Sequence, residues 1–202
     1  MVLCTNKKCI FIHIPKTAGT SIEQFLRDNG KNQLLFDRFL LNRSLQHLTA
    51  LELKRKLGNV FNNYYKFSIV RNPYDRLLSE YYWTNIPNVG YKFGKTKSEF
   101  LVYVKNILKN QFYFQNNYND HFIPQYMFLC NRMGKLLIDN LFKYEDLDFV
   151  KDYLKKKLNI EREFPHLNKT GEEKTKDYWS DSEKEKIYNL YKNDFILFGY
   201  EK

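Results

Sequence analysis

Two apolar runs, Cys9–Ile14 and Tyr65–Val70, each break at a proline-bearing turn and pass straight into a helical pattern. That repeated strand–turn–helix order constrains the fold more than any other feature. A strand followed by a helix and then another strand builds parallel pairs, because the crossover returns the chain to the same end of the sheet. In Cys9-Ile10-Phe11-Ile12-His13-Ile14 the apolar residues hardly alternate, the mark of a strand buried on both faces. Pro15 stops it. Ile22, Phe25 and Leu26 then recur at helical spacing, with Thr20 or Ser21 as the expected cap and Glu23 in the first turn. The second run ends in Arg71-Asn72-Pro73. Pro73 suits the first helical position, and Leu77, Leu78, Tyr81 and Tyr82 face inward.

The remaining elements follow from local signals. Thr49-Ala50-Leu51-Glu52 is a capping-box pattern that opens a helix ending near Leu57, before Gly58. Residues 84–97 read as a surface loop, and Thr96-Lys97-Ser98-Glu99 opens a helix over about 97–111. Asn116 to Asp120 is loop-like, and Ile123 to Leu129 fits strand and helix equally. Leu136-Leu137-Ile138 is a strand candidate, with a second short one at Leu141-Phe142. Asp148 to Leu158 is a lysine-rich amphipathic helix, 162–178 a polar loop, and Ser180-Asp181-Ser182-Glu183 starts a last helix to about Lys192. With no repeat and no linker, the expectation is an α/β chain forming a single domain over 1–202. Its central, mostly parallel sheet is flanked by helices on both faces.

His13-Ile14-Pro15-Lys16-Thr17-Ala18-Gly19-Thr20-Ser21 is the most informative segment. A strand that breaks at Pro-Lys and enters a helix through small residues makes an anion cradle. Loop N–H groups point inward, and the helix dipole adds about half a positive charge. Gly19 permits close backbone approach or a positive φ. The lysine precedes the glycine, so this is not a Walker A loop. No acidic strand end is suited to hold magnesium, and no metal is signalled. Arg71, at the end of the second strand, occupies the place where open α/β sheets bind ligands. Ser79 follows two helical turns later, and an arginine fork with a hydroxyl suits a phosphate dianion. Asp75 and Arg76 read as a local ion pair or a contact that stabilises the fold.

Two anion sites at two strand ends suit a ligand with anionic groups at both of its ends. At this point the sequence resembles a sulfotransferase of the carbohydrate class, the heparan 2-O or chondroitin type. Ile12 to Ser21 is similar to that family's 5′-phosphosulfate loop, and Ile69 to Ser79 to its 3′-phosphate motif. Tyr191-x-x-Asp194-Phe195-x-x-Phe198-Gly199-Tyr200 is similar to its ending. The resemblance spans nearly the whole chain and implies a P-loop-NTPase-like fold. It implies that the donor is 3′-phosphoadenosine 5′-phosphosulfate (PAPS) and the product adenosine 3′,5′-bisphosphate (PAP). Carried over by position, Lys16 stabilises the leaving phosphate at the bridging oxygen. Gly19, Thr20 and Ser21 cradle the phosphosulfate, and Thr17 and Ala18 shape the loop. Arg71 and Ser79 hold the 3′-phosphate. The loop around Lys169 and Thr170, in Pro165 to Gly171, closes over the donor.

The acceptor hydroxyl needs a base. His47, in Leu45-Gln46-His47-Leu48-Thr49, is similar in position to the histidine that glycan-sulfating members use, and an imidazole titrates near working pH. His121 is the alternative, as base or as an acceptor contact, and Asp120 and Glu145 are the acidic alternatives. His13 reads as a residue beneath the loop, satisfied by a hydrogen bond. The resemblance implies an acceptor that is a saccharide or glycolipid, with a small alcohol or protein tyrosine behind them.

Composition separates the rivals. Lys and Arg number 33 against 23 Asp and Glu, a net charge of +10, which calls for an anionic partner. A polyanion or nucleic-acid binder would interleave basic and aromatic residues along one face. Here the sharpest basic residues fall at two strand ends, so nucleic acid is not expected. A nucleotide kinase would need a lysine after the glycine. No run is long and apolar enough for a membrane span, and no leader pattern opens the sequence. Three cysteines, Cys4, Cys9 and Cys130, give neither a disulfide framework nor a zinc pair. These features set the expectation of a compact cytoplasmic enzyme without an anchor.

Overall fold

The computed structural model describes residues 2–27, 33–34, 39–40, 43–84, 96–116, 120–165 and 178–202. In chain order the elements begin with β1 (Val2–Cys4), β2 (Cys9–Ile12), α1 (Gly19–Leu26), β3 (Gln33–Leu34), β4 (Phe39–Leu40) and β5 (Arg43–Ser44). A 3-10 turn (Leu45–His47), α2 (Ala50–Leu57), α3 (Asn59–Asn63) and β6 (Tyr65–Val70) follow. Next come α4 (Pro73–Thr84), α5 (Lys97–Asn116), α6 (Gln125–Leu129), β7 (Asn140–Lys143) and α7 (Leu147–Leu158). The chain closes with α8 (Asp181–Leu190) and α9 (Lys192–Phe198). It divides into two compact units, Met1–Arg71 with Gln125–Leu167, and Asn72–Pro124 with Asn168–Lys202.

The first unit is α/β. Its sheet runs in the order β3-β1-β2-β6-β7. β2, β6 and β7 are mutually parallel, and β1 and β3 extend the sheet in antiparallel fashion on the β2 side. Side chains alternate across it. Cys9, Phe11, Phe67 and Ile69 point to one face and pack with Ile22, Phe25 and Leu26 of α1 and Val150, Leu154 and Leu158 of α7. On the opposite parity, Ile10 and Ile12 are equally buried, which is why β2 does not alternate in sequence, while β6 places Lys66 and Ser68 there, also buried, ahead of Val70. Each such large apolar side chain stabilises the fold by roughly 1.5–3 kcal/mol.

Local chemistry explains most boundaries. Thr49 caps α2 through its hydroxyl, Glu52 returns a bond to the Thr49 N–H, and Gly58 ends the helix. Elsewhere the structure departs from expectation. Neither Thr20 nor Ser21 caps α1. Ala18, left-handed at φ 65°, turns the chain earlier, so both hydroxyl residues already lie in the first turn and Glu23 falls beyond it. Leu136-Leu137-Ile138 is not a strand of the sheet. The Leu137 N–H returns to the Leu129 carbonyl and Leu136 only bridges to Cys130. Pairing with β6 begins where Lys66 N donates to the Asp139 carboxylate and Asp139 N donates to the Lys66 carbonyl. Ile123 to Leu129 resolves as a helix over Gln125–Leu129.

The second unit is helical among its described residues. α5 extends beyond the expected end, to Asn116, and the last helix is two, α8 and α9, joined at Tyr191. Tyr74, Leu77, Leu78 and Tyr81 of α4 pack with Phe100, Tyr103, Ile187, Tyr191 and Phe195. Arg76 serves the fold: its guanidinium donates to the Ile123 carbonyl at 2.9 Å and the His121 carbonyl at 3.0 Å. Burial pulls it down from the ordinary arginine value, and nearby Tyr191, Asp194 and Glu80 oppose that shift. Among the described residues, no helix is long and apolar enough to cross a membrane.

Candidate functional site

The turn between β2 and α1 is held in an unusual form. Lys16 (φ 70°) and Ala18 (φ 65°) are left-handed, and Thr17 between them is not. Each left-handed non-glycine residue costs about 1–2 kcal/mol, so the surroundings must enforce the shape. Thr17 supplies part of that restraint. It is fully buried, and its hydroxyl donates to the Ile14 carbonyl at 2.8 Å. Alternating backbone of this kind turns successive N–H groups into one concavity, the geometry of an anion nest at a helix start. Lys16 and Thr20 are half-buried there, and Ser21 is buried.

Gly19 answers to one of the two reasons the sequence suggested, close approach. Its φ is not positive. A Cβ at this position would fall 1.9 Å from Nε2 of His13, so the imidazole occupies the space a side chain would need. Gly19→Ala is therefore expected to displace His13 and to destabilise the fold by about 1–3 kcal/mol, the usual range for overpacking. Urea unfolding of the variant measures it.

His13 leads to the most tightly connected group in the unit. Its Nδ1 lies 2.8 Å from Oε1 of Glu23, and both residues are buried. The other carboxylate oxygen of Glu23 accepts from Gln46 Nε2 at 2.9 Å. Burial alone would push the Glu23 carboxyl up. The hydrogen bond and charge of His13 lead the opposing effects, and the carboxyl stands below the usual glutamate value. His47 follows Gln46 on the 3-10 turn. It is 7 % exposed, and its ring meets that of His13 edge to face at 5.0 Å. Glu23, Gln46 and this contact escape a reading of the motifs. The available signal was a carboxylate placed beside the apolar stripe of α1.

Arg71 approaches the same loop from the neighbouring strand. β2 and β6 are parallel, with Ile12 opposite Ser68, so both chains leave the sheet at the same end. Ser68 Oγ donates to the Ile12 carbonyl and ties the two ends together. The Arg71 guanidinium is 3.3 Å from the Lys16 carbonyl and lies 4.1 Å over the Tyr144 ring. Its backbone is clamped by Gln125, whose Oε1 accepts from Arg71 N while its Nε2 donates to Arg71 O. The structure thus brings Lys16, Thr17, Ala18, Gly19, Thr20, Ser21, His47 and Arg71 into one unit.

The second unit holds Ser79, buried on α4, and His121. His121 Nδ1 is 2.6 Å from the buried Glu80 carboxylate, and the ring stacks on Trp83 at 5.1 Å. The side chain of His121 keeps 23 % of its surface exposed. Of the acidic alternatives, Asp120 is buried and Glu145 exposed. Lys169 and Thr170, with His166 and most of the 84–97 and 162–178 loops, lie outside the described residues.

Comparison with known proteins agrees with this architecture. The model of the sulfotransferase family matches residues 1–201. Carbohydrate sulfotransferase 12 of Xenopus laevis is 26% identical over 245 aligned positions, which take in 100% of this chain and 56% of the relative. The chain thus spans about half the length of the curated relative it matches. No solved structure matches the chain. The similarity corrects one expectation: a cytoplasmic location conflicts with a relative of the Golgi-lumenal type. Three thiols and the absence of a leader pattern do not determine a compartment. A match over essentially the full chain, an α/β sheet of the expected kind and a strand–turn–helix loop agree: the chain belongs to the sulfotransferase family.

Proposed function

We propose that this protein transfers a sulfuryl group from PAPS to a hydroxyl of a carbohydrate, with residues 1–202 acting as one sulfotransferase domain. The observation that carries this reading is the pairing of the left-handed Lys16–Ala18 loop with Arg71 at the ends of two adjacent parallel strands. These residues fit the donor: a backbone nest and an ammonium suit a phosphosulfate, and a guanidinium set between the Lys16 carbonyl and the Tyr144 ring suits a phosphate. When bound, the donor supplies the SO₃ group and a phosphate leaving group. The transfer breaks the bond between sulfur and the bridging oxygen, forms a bond from sulfur to the acceptor oxygen and releases one proton.

Lys16 neutralises the charge that grows on the bridging oxygen, and the N–H groups of Gly19, Thr20 and Ser21 hold the adjoining oxygens. Fixed donors at that position act on the transition state with little reorganisation. His47 takes the acceptor proton. Its support is the family likeness together with its placement in the unit that carries Lys16. Arg71 and Ser79 hold the 3′-phosphate, and Lys169 and Thr170 cover the donor. His121, half-exposed and braced by Glu80, contacts the acceptor.

Calorimetry tests the donor assignment. PAP is expected to bind, and adenosine 5′-phosphate, which lacks the 3′-phosphate, to bind far more weakly. Arg71→Ala should cost PAP about 2–5 kcal/mol, as loss of one member of a buried charge pair does, and should leave the second nucleotide nearly unchanged. Equal loss for both nucleotides contradicts the role of Arg71, and no binding of PAP by the wild type contradicts the reading. Radiolabelled donor with a panel of unsulfated polysaccharides then identifies the acceptor.

A further inference from the structure

We infer that Glu23 is the positioning residue that sets the distance between the donor loop and the base, acting through His13 on one side and Gln46 on the other. The inference rests on the proposed reaction. Two parts of the chain that carry the chemistry are far apart in sequence: the continuous β2–loop–α1 segment, and the 3-10 turn bearing His47, with Gln46 standing 23 residues after Glu23. One buried carboxylate joins them. Glu23 stands on α1, its Oε1 meets His13 at the end of β2, and its Oε2 meets the side chain next to His47.

A carboxylate oxygen only accepts, so His13 carries its proton on Nδ1 and donates it. That leaves Nε2 turned to Gly19, where the ring fills the space of a missing Cβ. The same ring supports His47 edge to face at 5.0 Å. His13 is thus wedged between the helix start that frames the anion nest and the imidazole that takes the acceptor proton. An in-line displacement needs leaving-group and base contacts held together, and a misplacement of about 1 Å can lower the rate about a hundredfold.

Glu23→Gln tests this with little change of shape. The amide puts an NH₂ where one of the two accepting oxygens stood, so it cannot accept from His13 and Gln46 in their present places. Turned with its NH₂ toward His13, it makes Nδ1 an acceptor and moves the ring proton to Nε2. Isotope-labelled histidine nitrogens read the tautomer by NMR, without any ligand. Calorimetry reads PAP affinity. Turnover is read as sulfate passed from PAPS to unsulfated chondroitin or, with no acceptor, to water. The expected result is Nδ1–H in the wild type and Nε2–H in the variant, transfer lowered by at least about tenfold, and PAP affinity unchanged.

Gln46→Ala provides the second arm if Glu23→Gln folds poorly: transfer falls while the His13 tautomer stays Nδ1–H. A variant that only loosens the fold would lower the melting temperature and spare turnover. Wild-type His13 with no proton on Nδ1, or Glu23→Gln turning over at the wild-type rate, overturns the inference and leaves the proposed reaction standing. A wild type that neither binds PAP nor releases sulfate overturns the reaction, and the inference with it.

Discussion

Replacing Lys16 with alanine is expected to lower turnover by about 10²–10³ while weakening PAP much less, since a fixed donor at developing charge contributes about 2.7–4 kcal/mol. The substitution isolates the ammonium. Arg71 bonds to the Lys16 backbone carbonyl, which alanine keeps, and alanine already stands left-handed two residues later at Ala18. The loop therefore retains its restraints, including the Thr17 bond to Ile14. In the proposed reaction the contact of Lys16 strengthens as negative charge gathers on the bridging oxygen, so its removal is expected to act on the chemical step more than on binding. Steady-state turnover with radiolabelled donor, set beside calorimetry of PAP, measures both quantities. Equal losses in the two would mean that Lys16 only binds.

Replacing His47 with alanine is expected to lower transfer by about 10²–10⁴, the usual contribution of a positioned general base, and to leave PAP affinity intact. His47 lies on the 3-10 turn rather than in the Lys16 loop, so the nest survives its removal. Loss of the edge contact with His13 costs stability by about 0.5–1.5 kcal/mol, small enough for the variant to be assayed folded. A near-normal rate in the variant moves the base to His121, whose Nδ1 bonds to the buried Glu80 carboxylate. His121→Ala in the same assay then shows the large loss.

The elements legible in the sequence are those whose cause is local. The capping box at Thr49 and Glu52 and the stop at Gly58 need only neighbours on one helix. The unalternating Cys9–Ile12 strand and Pro73 at the head of α4 are equally self-contained. Elements that depend on a partner strand or a tertiary turn were less legible. The last strand was half legible: Leu136-Leu137-Ile138 and Leu141-Phe142 both read as candidates, and the sheet takes the less apolar second one, as Asn140–Lys143. Asp139 pairs with Lys66, 73 residues away, and that fixes where the ladder begins. The start of α1 was missed for a related reason: the sequence offered two hydroxyl caps, and the left-handed Ala18 pre-empted both.

The same division runs through the site. Lys16 and Arg71 were legible because a cation at the end of a buried strand, just before a helix, has few structural uses and a clear chemical one. Glu23, Gln46 and Gln125 were not, because their roles are relations between segments. Glu23 reads as an ordinary polar residue of α1 until His13 and Gln46 are brought to its two oxygens. Gln125 is unremarkable until its amide closes on both backbone groups of Arg71. Of the two reasons the sequence offered for Gly19, a positive φ fails and close approach holds, with the His13 ring as the group that comes near. By itself the sequence determined the strand–turn–helix order and the cations at the two strand ends, because periodicity and turn chemistry act over a few residues. Only the tertiary structure decided which strand completed the sheet and which side chains faced one another, because register and burial are set by contacts far apart along the chain.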